Sequence, residues 1–213
     1  MSHYRHQFEN LKPDEITYDK HENLLTVRGK SYKVDNAKIA FIDALNEWPE
    51  RNTFENRPTG SRIQIDSKIG DEVKIGQNCT IGGYGFGYEF YNGRYYRVPH
   101  LGDVVIEDHV TIHNNTNIDR SVTGTTYIGQ GSCLDSNVHI GHNAKIGKYV
   151  LIAAGATIGG SAHIGDRTFV GCNAFVKQKV KIGSNCTIGA GSVVTTNVPD
   201  GETWAGVPAI KIK

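Results

Sequence analysis

From Ile128 onward a branched aliphatic residue or leucine returns at every sixth position, through Leu134, Ile140, Ile146, Ile152, Ile158, Ile164, Val170, Val176, Ile182 and Ile188 to Val194. The same period runs earlier through Ile63, Ile69, Ile75 and Ile81, and again through Ile106, Ile112 and Ile118. A repeat of this length is read before any local signal, because it dictates the architecture. Glycine usually follows the aliphatic residue, as at Gly70, Gly141, Gly159 and Gly183, and a small or β-branched residue stands four places after it, as at Cys79, Ala144, Ala162 and Cys186. Three places after it Asn or Gly is common (Asn78, Asn143, Gly155, Asn185), and these residues tolerate the positive φ of a tight corner. Each unit therefore reads as one short strand and one turn, with one large and one small side chain inward. Three units close a triangular coil of 18 residues. Coils stack at the strand spacing of roughly 4.8 Å and bury their aliphatic residues against each other. Cys79 and Cys186 fall at the small inward position and read as packing residues.

Two interruptions break the register. Between Ile81 and Ile106 the spacing is 25, and the surplus is the aromatic stretch GGYGFGYEFYNGRYYRVPHLG. Between Ile118 and Ile128 it is 10, four more than the repeat, around Ser121–Thr125. Loops expelled from a regular solenoid usually lie on a binding face. For the aromatic loop, a subunit-packing arm is the alternative.

Residues 1–60 carry no repeat and read as a small α+β appendage: strands at Ile16–Tyr18, Leu24–Arg28 and Lys30–Val34, then a helix from Ala37 to Trp48, capped by Asn36 and stopped at Pro49. The β-helix is expected over residues 61–198, with the aromatic loop at 83–102, and a tail over 199–213. No GxGxxG or P-loop is present, which argues against a Rossmann unit. Apolar residues at 38%, charged residues at 21% and a mean hydropathy of −0.39 describe a soluble globular chain. The net charge of +1 gives no pull toward nucleic acid or anionic lipid. No apolar run reaches the ~18 residues of a membrane span, and the opening MSHYRHQFEN has no apolar signal segment. A cytoplasmic location is expected. Cys79, Cys133, Cys172 and Cys186 fit neither a metal-binding CxxC pattern nor a disulfide framework.

The repeat is that of the left-handed parallel β-helix, a handedness that comes from the family and not from the spacing. Within it, GFGYEFYNGRYYRVPHLGDVVI, HNNTNIDRSVTGTTYIGQGSCLDSNVHIGHNAKIG and IGGS resemble the UDP-3-O-acylglucosamine N-acyltransferases of lipid A synthesis. The likeness covers roughly residues 81–165 and includes Gly85-Phe86-Gly87, Ile118-Asp119-Arg120, Asp135 and His142-Asn143. The two ends depart from it. The segment 1–60 is shorter than that family's uridine-binding domain, nothing helical follows Val194, and Lys179 stands where the family has a second histidine. The ending WAGVPAIKIK is instead similar to acetyl-CoA-dependent sugar acetyltransferases, including those acting on nucleotide-linked amino sugars, in which a histidine at the position of His142 serves as base. The two likenesses together imply a trimeric N-acetyltransferase that uses acetyl-CoA and a nucleotide-linked amino sugar. The acyl-carrier-protein-dependent lipid A enzyme is the alternative.

Making an amide from a thioester needs a base that works near neutral pH and stabilisation of an oxyanion. His142 lies two places after Ile140, at an outward corner. One coil on stands Gly160, a bare backbone that would admit the reactants and whose N–H is a candidate oxyanion donor. Asn143 or Asp135 would orient the imidazole. Ala154, Cys172, Ala190 and Pro208, spaced by 18, form a small-residue column with room for a pantetheine arm. Ser161, Lys177, Lys179, Lys181, Lys211 and Lys213 are candidates for the donor's phosphates, with a solvated face as the plain alternative. Phe86, Tyr88 and Tyr91 are candidates for stacking on a base or sugar, and His113, Asp119, Arg120 and His139 for acceptor contacts. His163 also points outward, whereas His100 reads as structural. No resident metal is expected. A zinc anhydrase on the same coil would need three histidines to converge between subunits, which His109, His113, His139 and His142 leave open. A non-catalytic scaffold is the remaining reading.

Overall fold

The computed structural model describes residues 12–46, 54–56, 59–64 and 66–213. The chain forms two compact units, one of residues 1–51 with 86–101 and one of 52–85 with 102–213.

In the first unit β1 (Ile16–Asp19), β2 (Leu24–Val27) and β3 (Lys30–Lys33) form an antiparallel meander. Arg28 and Gly29 both take positive φ at the second turn. Helix α1 (Ala37–Leu45) starts as expected, with the Asn36 side chain accepting from the Ile39 N–H at 3.0 Å, and buries Ile39, Phe41, Ile42 and Leu45. Its last residue is Leu45; the stop expected at Trp48-Pro49 lies outside the described residues. The aromatic stretch, read from sequence as a loop, is an antiparallel hairpin of Tyr88–Tyr91 with Arg94–Arg97. Its turn is Asn92-Gly93, both at positive φ, a two-residue connection that the dipeptide itself signals. Glu89 holds this hairpin to the rest of the unit through Lys38 at 2.6 Å and Lys20 at 3.2 Å. His100 is fully buried with Nδ1 2.9 Å from the Val98 carbonyl, a structural role as expected.

The second unit is the parallel β-helix. Its strands stack in three parallel sheets, the faces of a triangular prism. The first face aligns Ile69, Ile106, Ile128, Ile146, Ile164 and Ile182, one per coil. The second aligns Ile75, Ile112, Leu134, Ile152, Val170 and Ile188. The third aligns Ile63, Ile81, Ile118, Ile140, Ile158, Val176 and Val194. These columns form one continuous core, and each fully buried isoleucine contributes about 2–3 kcal/mol before its entropy cost. The small inward positions, Cys79 and Cys186 among them, are buried as well. Where Ser or Thr takes such a position the hydroxyl joins the ladder: Ser132 Oγ accepts from the Val150 N–H at 3.0 Å and donates to the Gly147 carbonyl at 2.9 Å.

Positive φ recurs at the corners, on Asn78, Asn143, Asn173 and Asn185 as the repeat predicts, but also on Tyr149, Ser161, Arg167 and Lys179. Those residues sit in the left-handed region because stacking against neighbouring coils fixes the turn. The last coil is two residues short: Val198 pairs with Ile182 and Trp204 with Ile188, a spacing of 16 in each case. The expected tail thus returns to the second face as strand Thr203–Gly206, followed by antiparallel strand Ala209–Lys211.

Candidate active site

His142 lies in the turn that joins the third face to the first, after strand His139–Ile140, and is half-buried. Its Nδ1 is 3.0 Å from Asn143 Oδ1. The neighbouring backbone decides which way that amide points. The Val122 N–H can only donate, and it reaches Asn143 Oδ1 at 3.0 Å. The Thr123 carbonyl can only accept, and Asn143 Nδ2 donates to it at 2.9 Å while also donating to Ser121 Oγ at 2.9 Å. Oδ1 is therefore an acceptor toward the ring, so His142 carries its proton on Nδ1 and its lone pair on Nε2. The Asn143 N–H donates to Thr126 Oγ1 at 2.8 Å, which holds the turn to the coil below.

The holding segment is the four-residue surplus of the sequence. Ser121 Oγ donates to the Thr123 carbonyl at 2.6 Å, Thr125 Oγ1 donates to Asp103 Oδ1 at 2.6 Å, and the Asp103 N–H reaches the Gly124 carbonyl at 3.0 Å. A Cβ on Gly102 would lie 2.3 Å from the Gly124 carbonyl, so only glycine lets this segment close. Lys145 donates to the Thr125 carbonyl at 2.7 Å, and burial pulls its ammonium below the usual lysine range, against an opposing pull from Asp103. Ser121, Thr123, Thr126, Asp103 and Lys145 were not singled out from the sequence. The irregular spacing was the one signal that pointed at them.

On the other side of the ring lies Gly160. A Cβ there would come within 2.7 Å of His142 Nε2 and 2.9 Å of Cε1. The space expected to admit a reactant is thus filled by the imidazole itself. Ser161 follows on the same corner, its N–H on the His142 carbonyl at 2.8 Å, and Lys179 follows with its N–H on the Gly160 carbonyl at 3.0 Å. Lys177 and Lys179 are exposed on that corner.

Next to His142, His139 Nε2 stands 3.5 Å from Asp119 Oδ2. Burial pushes the Asp119 carboxyl up to about 7. Burial first, and then the charge of His142, hold His139 below the usual histidine range. Asp119 and His139 thus lie in the neighbourhood of His142.

Asp135 is exposed at the corner between the second and third faces, where its Oδ1 accepts from the Ser136 N–H at 2.7 Å, whereas Asn143 Oδ1 meets the ring at Nδ1. Three expectations are corrected. Arg120 is 1% exposed, with Nε on the Gly82 carbonyl at 2.8 Å and its guanidinium over the Tyr84 ring at 4.5 Å. It supports the coil rather than facing solvent. Pro208 leaves the small-residue column because the last coil is short, and Gly206 takes the place after Ala190 in the register. Ala154 and Ala190 lie on the corner after the second face, whereas Ser161, Lys177 and Lys179 lie on the corner after the third. One chain does not bring these two sets into one groove.

Phe86, Tyr88 and Tyr91 belong to the first unit. There Phe86 packs on Tyr88 at 5.0 Å and Tyr91 on Tyr96 at 6.2 Å, and Phe86 is 88% exposed. His113 is exposed on the second corner, and His109 pairs with Glu72 at 3.2 Å on the first, so His109, His113 and His142 occupy three different corners. His163 stacks between Lys145 and Lys181 on the first face, held below its usual range by burial and then by both lysines. Lys211 is paired with Glu202 at 2.7 Å, and Lys213 is exposed at the chain end. Among the described residues no three His, Cys, Asp or Glu side chains converge in one chain, and no helix is long and apolar enough to cross a membrane.

Residues 125–160 and 161–196 each match the bacterial transferase hexapeptide family, six repeats at a time. The chain is 52% identical over 141 residues to UDP-3-O-acylglucosamine N-acyltransferase 2 of Nitrobacter winogradskyi, covering 66% of this chain and 41% of that protein. It is 42% identical over 93 residues to the UDP-3-O-acylglucosamine N-acyltransferase of Methylococcus capsulatus, covering 43% and 26%. The chain therefore spans less than half the length of these relatives. Among solved structures, the UDP-N-acetylglucosamine acyltransferase of Francisella novicida superposes with a TM-score of 0.64 at 27% identity, over 71% of this chain and 54% of that one. The chain is a hexapeptide-repeat β-helix protein related to the UDP-3-O-acylglucosamine N-acyltransferases.

Proposed function

We propose that this chain is an N-acyltransferase that moves an acyl group from a thioester to the amine of a nucleotide-linked sugar, with His142 as general base. The observation that carries the reading is the imidazole fixed by Asn143 with its lone pair on Nε2, in a turn whose backbone is held by the 121–125 segment. The acceptor nitrogen attacks the thioester carbonyl carbon and forms the N–C bond as the carbonyl π pair moves to oxygen. His142 Nε2 takes a proton from nitrogen. Collapse re-forms the carbonyl and breaks the C–S bond, and the departing thiolate takes the proton back from His142. No covalent enzyme intermediate enters.

The names of the similar proteins favour a UDP-linked 3-O-acylglucosamine as acceptor over the other nucleotide-linked amino sugars that the ending WAGVPAIKIK suggested. The donor is a thioester, with acyl-CoA and acyl carrier protein as the two carriers. Ser161, Lys177 and Lys179 follow His142 on its own corner and are the donor contacts one chain offers. Ala154 and Ala190 would reach the same donor only from a neighbouring copy in a trimer.

The test is thiol release from acetyl-CoA and from a long-chain acyl thioester on CoA or carrier protein. The acceptors are UDP-3-O-acylglucosamine and UDP-, dTDP- and GDP-linked amino sugars. His142→Ala is expected to lower kcat by about 10²–10⁴-fold with the best pair. Near-normal turnover in that variant overturns the proposal.

A further inference from the structure

Asp119 is a buried carboxyl group that the mechanism above leaves unused. Its side chain is 12% exposed, and among the described residues its polar partner is His139 alone, at 3.5 Å. On the coil below, a Cβ built on Gly83 would stand 3.6 Å from Asp119 Oδ1. A buried carboxylate with so little compensation costs stability, and such a group beside a candidate base marks a functional position. The titratable groups around it are His139, across the coil boundary, and beyond it His142. The adjacent Arg120 turns away to Gly82 and Tyr84 and supplies no countercharge.

Chemistry supplies the missing partner. An alcohol acceptor gives up one proton on acylation, whereas an ammonium gives up two, one before attack and one during it. A single base serves the first kind of acceptor. The second kind needs another proton acceptor next to it, and an anion to bind the cation.

We infer that Asp119 and His139 form the seat of the acceptor's ammonium group and take its first proton, so that His142 receives a neutral amine. This rests on the amine reading above. In the first step R–NH3⁺ pairs with the Asp119 carboxylate, and its proton passes to that carboxylate or to the neutral His139 ring, whose half-exposed edge returns it to water. The nitrogen keeps its lone pair, attacks the thioester carbon, and yields its second proton to His142. Both leaving protons are accounted for, and no further reactant is needed.

The test uses the full chain and the best donor and acceptor from the panel above. Asp119→Asn is expected to lower kcat/KM for the amine about 10-fold or more at pH 7, mainly through the acceptor KM, with the donor KM within about twofold. At pH 9.5, where the amine arrives neutral, the deficit should shrink to about threefold. The acceptor's hydroxyl analogue, as a competitive inhibitor, should bind wild type and variant alike. His139→Gln, which leaves the carboxylate in place, should show a smaller deficit with the same pH dependence. It is the readout if Asp119→Asn fails to fold by circular dichroism. An equal loss at both pH values, a loss in the donor KM, or no loss overturns the inference. If His142→Ala is inactive in those cases, the amine-transfer reading survives; if His142→Ala is active, that reading has failed as well.

Discussion

Gly160→Ala isolates how tightly the proposed base is held. The new Cβ would sit 2.7 Å from His142 Nε2, 2.9 Å from Cε1 and 3.0 Å from Cδ2, whereas ordinary contact begins at 3.4 Å. The ring must therefore retreat by about 0.7 Å or more. It has little freedom to do so. Its Nδ1 is fixed at 3.0 Å from an amide that is itself tied to Ser121, Val122 and Thr123. A misplacement of about 1 Å costs roughly 100-fold in rate, which is about 2.7 kcal/mol of barrier. Stability should hardly move, because Gly160 has no positive φ. The entropy gained from alanine, about 0.4–1 kcal/mol, offsets the loss of one hydrogen bond worth about 1 kcal/mol. The expected result is kcat down about 100-fold, and Tm within about 2 °C of wild type by differential scanning fluorimetry. A variant with kcat within twofold of wild type would show that the ring is not confined as described, and the tautomer argument would fall with it.

Asn143→Ala removes the acceptor on Nδ1 and the anchor of the 121–125 segment together, and should lower kcat about 10- to 100-fold with a smaller change in the acceptor KM. Arg120→Ala leaves the Gly82 carbonyl and the Tyr84 ring without their buried partner and should cost about 2–4 kcal/mol in urea denaturation. Asp119→Asn should stabilise the protein at pH 8. The folded carboxyl titrates at about 7 against its ordinary 3.8, so the folded state binds more protons between those values and wild-type stability falls as pH rises through that window. Linkage sets an upper bound of about 4 kcal/mol, and the residual exposure of the carboxylate brings the expected gain to roughly 2 kcal/mol. Denaturation at pH 4 and pH 8 checks it, since the two proteins should differ little at pH 4.

The prism was legible in the amino-acid sequence because its period is set by local geometry. A strand of fixed rise and a three-sided coil put one aliphatic residue inward at every sixth position, and stacking repeats that demand coil after coil. The helix cap at Asn36, the packing roles of Cys79 and Cys186, and the position of His142 at a corner followed from the same kind of short-range rule. What the residues in order did not contain was the partner of each side chain across coils. Asn143 rather than Asp135 holds the ring, because an off-period segment of four residues folds back over the turn. Gly160 serves the imidazole rather than the reactants, because stacking places the ring directly on it. Arg120 is buried, and Pro208 leaves its column because the last coil is two residues short. The pairing of Asp119 with His139 joins residues 20 apart across a coil boundary that contains the irregular spacing. A repeat fixes which residues face in or out. Contacts made where the repeat is broken depend on how the chain closes in three dimensions, and there the tertiary structure decided.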